Sequence, residues 1–134
     1  MTTIRHAGSN GAPAASPATL PASVEAMLQR LDPEQRAAAT LPDGPAQIIA
    51  PAGSGKTTTL VARLGYLMAT GTPPERICVV TFNRDAALEL RARITERLAP
   101  SLPGADTMEV RTLHALARQV LLERLDLHAH GRGR

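Results

Sequence analysis

The apolar positions of this chain follow two rhythms, and their alternation sets the expected fold. Val24, Met27, Leu28 and Leu31 recur at helical spacing, as do Leu60, Leu64 and Leu67. Leu90, Ile94 and either Arg97 or Leu98 form another such stripe, and Leu113, Leu116, Val120 and Leu121 a last one. Between them lie unbroken apolar runs, Ile48-Ile49-Ala50 and Ile77-Cys78-Val79-Val80-Thr81-Phe82, which read as buried strands of a parallel sheet. A shorter strand is expected over Met108–Arg111. Stop and start signals punctuate the stripes. Ser23 caps a first helix, and Asp32-Pro33 opens a second that runs to about Leu41. Pro42-Asp43-Gly44-Pro45 is a turn, and Gly71 with Pro73-Pro74 ends the third helix. Asn83 caps Arg84–Leu98, Pro100 and Pro103-Gly104 break it, and Thr112 caps the last helix. The order βαβα(β)α predicts an α/β protein with helices on a parallel sheet. Ligands of such sheets sit at the carboxyl ends of the strands, which here hold the turns after Ala50, Phe82 and Arg111.

The sharpest chemistry lies in Ala46–Thr59, AQIIAPAGSGKTTT. A strand stops at Pro51, Gly53 and Gly55 bracket Ser54, and Lys56-Thr57 opens a helix, which is the order of a phosphate-binding P-loop. A polyphosphate must be wrapped by backbone N–H groups, and Cβ atoms obstruct that wrapping. Glycine allows both the close approach and the unusual φ. The helix start adds its free N–H groups and the positive end of its dipole. Lys56 brings a full charge to the β and γ phosphates, and the Thr57 hydroxyl is placed to hold Mg²⁺. These two are the candidate catalytic residues, and Thr57 the candidate metal ligand. Ala50, Pro51, Ala52, Gly53, Ser54, Gly55, Lys56, Thr57 and Thr58 form the candidate nucleotide-binding segment. Ala50 stands where the usual pattern has glycine. The alternative is an ordinary glycine-rich βα turn. Among the 15 basic residues Lys56 is the only lysine.

Composition narrows the rest. A length of 134 residues fits one domain, and 43% hydrophobic content fits a globular one. Aromatic content of 1% leaves the core to Leu, Val, Ile and Ala. The net charge of +3 permits a nucleic-acid partner without demanding one. Cys78 is the single cysteine, so no internal disulfide forms, and it reads as a buried strand thiol. No apolar stretch is long enough to span a bilayer, and the N-terminus lacks the apolar core of a secretory signal, so no membrane partner and a cytoplasmic location are expected. Residues 1–22, rich in Ala, Pro, Gly, Ser and Thr, are expected to form a disordered leader; Arg5 is its only arginine, which tells against a transit peptide. Residues 23–134 are expected to form the folded unit, with the tail His128–Arg134 frayed.

Four segments in order resemble the start of a UvrD-like superfamily 1 DNA helicase. They are Leu31-Asp32-Pro33-Glu34-Gln35-Arg36-Ala37-Ala38, the P-loop, Thr81-Phe82-Asn83-Arg84-Asp85-Ala86-Ala87 with Glu89 and Leu90, and Arg111-Thr112-Leu113-His114-Ala115-Leu116-Ala117. The resemblance covers about Val24 to Leu125. It implies a P-loop NTPase (RecA-like) parallel sheet, ATP and Mg²⁺ as cofactors, and single-stranded DNA or a single/double-strand junction as partner. It also implies ATP-driven movement with 3′-to-5′ polarity. Gln35 matches the glutamine that reads adenine, for which an amide offers a donor and an acceptor, with an ordinary exposed helix glutamine as the alternative. Thr58 sits where these helicases often carry arginine. Thr81, Phe82 and Asn83 match a segment that meets single-stranded DNA; Phe82 stacks on a base or fills core. Asp85 stands where the family usually has lysine. Thr112 and His114 match a further DNA-contacting segment, with a partly buried helix histidine as the alternative for His114.

A motor of this family also needs an apolar strand ending in Asp-Glu, where Asp holds Mg²⁺ and Glu activates water. The sequence contains no Asp-Glu pair. The resemblance therefore implies the first part of a first motor domain, which alone binds ATP weakly or not at all and does not unwind DNA. A sheet cut short is expected to leave a sticky, unpaired edge. A P-loop kinase or phosphotransferase, and a non-enzymatic nucleotide- or DNA-binding module, remain the competing readings.

Overall fold

Three of the five α-helices among the described residues, those that start after Asp32, Asn83 and Thr112, begin on a side-chain cap. In a computed structural model, which describes residues 3–6 and 19–130, Asp32 accepts from the Gln35 amide N–H at 2.8 Å, and the Gln35 side chain reaches back to the Asp32 N–H at 3.1 Å. This reciprocal pair, with Pro33 at the first helical position, fixes the start of α2 (Pro33–Ala39). It follows α1 (Ala22–Gln29), whose N-cap is Pro21 with no side-chain bond; Ser23, expected to cap it, lies one residue inside the helix with its hydroxyl buried and unbonded. After β2 (Ala46–Ile49) comes α3 (Lys56–Ala69), which ends where Gly71 takes φ +108° and the Thr72 N–H returns to the Leu67 carbonyl. Next come β3 (Cys78–Thr81) and α4 (Arg84–Arg97), the helix capped by Asn83, whose Oδ1 accepts from the Ala86 N–H at 2.8 Å. Then β4 (Glu109–Thr112) leads into α5 (Leu113–His130), where Thr112 Oγ1 accepts from the Ala115 N–H at 3.2 Å.

One core joins α1, α3 and α4 to one face of β3 and β4. It is built from Val24, Leu28, Val61, Leu64, Ile94, Leu98, Val79 and Val110, all buried. Leu98 rather than Arg97 completes the α4 stripe, because a buried guanidinium would need a partner that the apolar pocket does not offer. The architecture is mixed helix and strand with a small parallel sheet. β3 and β4 pair in parallel, with Thr81 opposite Thr112.

Several expectations change. The segment read as a disordered leader contributes a strand, β1 (Thr3–His6), paired antiparallel with β2; residues 7–18 lie outside the described residues. β2 pairs with β1 and not with β3, and its two isoleucines are exposed. A run of β-branched residues specifies a strand but not its neighbour. β3 is also not buried on both faces: Ile77 and Val79 are buried while Cys78 and Val80 are exposed, since the helices named above cover one side only. The strand β4 begins one residue later than expected. The α5 stripe is largely open, with Leu113, Val120 and Leu121 exposed. α5 remains helical through His130, where fraying was expected, and residues 131–134 lie outside the described residues. Among the described residues no helix is long and apolar enough to cross a membrane.

Candidate functional site

The turn between β2 and α3 is braced from within by Ser54. Ser54 donates from both its N–H and its Oγ to the Pro51 carbonyl, at 3.3 and 2.6 Å. Gly53 and Gly55 stand at φ +76° and +81°, the left-handed region that side chains resist. A Cβ at Gly53 would meet nothing within 4 Å, so open space lies on that side of the bend. α3 then runs for 14 residues, and its first intrahelical bond goes from the Thr59 N–H to the Gly55 carbonyl at 3.0 Å. The N–H groups of Lys56, Thr57 and Thr58 precede that bond and stand at the helix mouth. Lys56, Thr57 and Thr58 are exposed there. Thr59 is buried, and its hydroxyl donates to the same Gly55 carbonyl at 3.0 Å. The cradle therefore has what a polyphosphate requires: glycines where a side chain would obstruct, a helix N-terminus and one ammonium group. For a divalent cation the donor present is the Thr57 hydroxyl. Among the described residues no group of three or more His, Cys, Asp or Glu is placed to hold a metal.

Gln35 lies against this bend. Its Nε2 donates to the Ser54 carbonyl at 2.7 Å, while its Oε1 accepts from the Asp32 N–H. A cavity of about 170 Å³ opens beside it, lined by Gln35, Ala38, Ile48, Lys56, Leu60 and Arg63 among others. The Arg63 guanidinium donates to the Ala39 carbonyl at 3.3 Å and to the Leu41 carbonyl, closing the C-terminal end of α2. Burial lowers its pKa from the usual arginine value, and the nearby Asp43 and Tyr66 act in the opposite direction. Arg63 was not among the residues expected at the site. A signal was there, since residues 56, 59, 60 and 63 share one face of a helix.

The second cluster of candidate residues sits at the carboxyl ends of β3 and β4. Parallel pairing places Thr81 beside Thr112, so the turns that follow them are neighbours. Phe82 is 83% exposed, which removes the reading of it as core filling. His114 is exposed as well, not a partly buried helix histidine. The Thr81 hydroxyl donates to the Asn83 carbonyl at 3.1 Å, and Asn83 and Thr112 spend their side-chain oxygens on helix caps. A broad groove of about 1020 Å³ runs beside this edge, with Arg84, Arg91, Arg111 and Thr112 on its wall. Arg91 and Arg111 were not singled out from the sequence. Arg91 donates to the Val110 carbonyl at 2.9 Å, and Arg111 pairs with Glu109. Of the three turns expected on one sheet edge, the parallel pairing joins these two. The glycine-rich turn follows a strand that pairs elsewhere.

The family model described as "UvrD/REP helicase N-terminal domain" matches residues 31–131. The chain is 38% identical over 101 residues, 75% of its length, to ATP-dependent DNA helicase PcrA of Bacillus subtilis. It is 41% identical over 92 residues, 68% of its length, to DNA helicase IV of Escherichia coli, and 39% over 99 residues, 73%, to DNA helicase II of the same organism. It spans 13% of the length of each of these relatives.

Proposed function

The chain belongs to the UvrD/REP helicase family, and from that premise we propose that residues 23–134 are the nucleotide-binding start of a RecA-like motor domain of an ATP-dependent DNA helicase. The observation that carries this reading is the bend itself: Gly53 and Gly55 at positive φ, with the lone lysine on the first turn of a 14-residue helix. In this proposal Ala50–Thr58 wraps the triphosphate of ATP. Backbone N–H groups at the start of α3 and the Lys56 ammonium face the phosphate oxygens, and the Thr57 hydroxyl supplies one ligand to Mg²⁺. The Gln35 amide lies beside the cavity next to the loop, which suits it to a nucleobase edge. The bound nucleotide supplies the free energy of phosphoanhydride cleavage. What these residues supply is binding, orientation and charge. With no Asp-Glu pair in its sequence, the chain by itself binds the nucleotide weakly and does not hydrolyse it.

Single-stranded DNA, or a single/double-strand junction, is the proposed partner of the second cluster. Phe82 projects from the sheet edge where a base can stack, and the Thr81 and Thr112 ends stand beside it with Arg84 and Arg111 close by. Movement along that strand in the 3′-to-5′ sense belongs to the proposal for the protein as a whole and rests on the family. The test is titration of labelled Mg·ATP into the 134-residue chain beside Lys56→Ala. Saturable binding at millimolar nucleotide, abolished in the variant, is expected. Equal binding by both proteins would overturn the reading.

A further inference from the structure

Gln35 is tied to the glycine-rich bend more closely than reading a base requires. Its Nε2–H bond to the Ser54 carbonyl, at 2.7 Å, crosses 19 residues of sequence and fastens α2 to the loop. The same amide sits over Gly55: a Cβ there would lie 2.8 Å from Gln35 Nε2, whereas a Cβ at Gly53 would meet nothing. The other end of the amide is fixed too, since Oε1 accepts from the Asp32 N–H at 3.1 Å and the Gln35 N–H donates to Asp32 Oδ1 at 2.8 Å. The side chain is therefore held at both ends, one on a helix cap and one on the backbone between the two left-handed glycines. An amide has two N–H groups and two acceptor lone pairs, so one of each remains for a ligand while both protein bonds persist.

We propose that Gln35 is a positioning residue for the phosphate cradle: its bond to the Ser54 carbonyl sets the path of the loop, so phosphate binding depends on Gln35 even when the ligand has no base. This rests on the reading of Ala50–Thr58 as a triphosphate site. If Gln35 served the base alone, its loss would weaken ATP and leave inorganic tripolyphosphate untouched. If it holds the loop, both ligands lose about the same factor, about 2- to 12-fold for one amide–carbonyl hydrogen bond.

The experiment titrates Mg·ATP and Mg·tripolyphosphate into the wild-type chain, Gln35→Met, Asp32→Ala and Lys56→Ala. It also follows amide hydrogen exchange of Gly53–Thr57 without ligand. Methionine keeps the length and helix preference of glutamine but neither donates to Ser54 nor accepts strongly from Asp32. Asp32→Ala weakens the cap of α2 while leaving the Gln35–Ser54 bond in place. Expected are parallel losses for both ligands and faster exchange over Gly53–Thr57 in Gln35→Met, with neither in Asp32→Ala. Loss of ATP binding alone in Gln35→Met, with unchanged exchange, would overturn the positioning role and leave the triphosphate site standing. Equal effects from Asp32→Ala would also overturn it, by assigning the effect to the helix. Equal binding of both ligands by the wild type and Lys56→Ala would remove the site and the inference together.

Discussion

Replacing Gly55 by alanine should cost more than replacing Gly53, and the excess should disappear when Gln35 is removed. Both glycines have left-handed φ, +76° and +81°, so each substitution carries about 1–2 kcal/mol of backbone strain. Each also gains about 0.4–1 kcal/mol from a less disordered unfolded chain. These contributions are common to the pair and cancel in the comparison. What differs is the surroundings. At Gly53 the new methyl enters open space, while at Gly55 it arrives 2.8 Å from Gln35 Nε2 and displaces the amide from the Ser54 carbonyl. The lost hydrogen bond adds about 0.5–1.5 kcal/mol to the cost of Gly55→Ala. In the Gln35→Ala background that bond is already gone, so Gly55→Ala should then cost no more than Gly53→Ala. Urea unfolding followed by circular dichroism measures the four proteins of the Gly55–Gln35 cycle with Gly53→Ala beside them, and coupling is read from midpoints at constant slope. Costs for the two glycines within about 0.3 kcal/mol of each other, together with zero coupling to Gln35, would refute the reasoning.

Phe82→Ala should leave stability within about 0.5 kcal/mol, because the ring is exposed, yet weaken single-stranded DNA binding by about 1–3 kcal/mol in a fluorescence-anisotropy titration. An unchanged affinity would count against a stacking role. Ile94→Ala, a buried core residue of α4, should cost about 2–5 kcal/mol in urea unfolding, and a cost below about 1 kcal/mol would show that the site collapses around the gap. The Cys78 thiol, though exposed, is held above its ordinary pKa, first by the partial loss of water around it and then by the Glu109 carboxylate beside it, with Arg111 acting in the opposite direction. Less thiolate is then present at pH 8, so iodoacetamide should react more slowly with the folded chain than with a cysteine peptide, and Glu109→Gln should speed it. Because the folded-state value is the higher one, stability falls as pH climbs through the thiol range, and a flat urea midpoint across that range would contradict the shift.

What could be read from the sequence was local. Asp32-Pro33, Asn83 and Thr112 each name a helix start in side-chain chemistry that acts within three residues, and these caps form, whereas Ser23 lies inside α1 and caps nothing. The α4 stripe and the glycine-rich bend were legible for the same reason. What was not legible depended on partners distant in sequence. Ile48 and Ile49 have the composition of a central strand, but β2 pairs with Thr3–His6, a segment whose own composition promised no structure. Phe82 ends a run of buried type and is nevertheless exposed, because the chain turns outward one residue before Asn83 caps α4. Gln35 was legible as a residue that matters. That its amide would grip the Ser54 carbonyl could not be foreseen from two residues 19 positions apart.

The two edges of the parallel sheet are unlike, and the difference follows from where an arginine falls on α4. The Glu109 N–H points to Ile77 across the β3–β4 ladder, so Val110, one residue on, turns its backbone groups away from β3. Arg91 occupies the outward Val110 carbonyl at 2.9 Å with a side chain that cannot continue a ladder. A charged group on an edge acceptor discourages a further strand there. Arg91 therefore gives the sheet a direction: the β4 side is closed by a side chain from the helix that packs on it, and growth of the ladder is left to the β3 side. The sticky, unpaired edge expected of a short sheet then falls to β3.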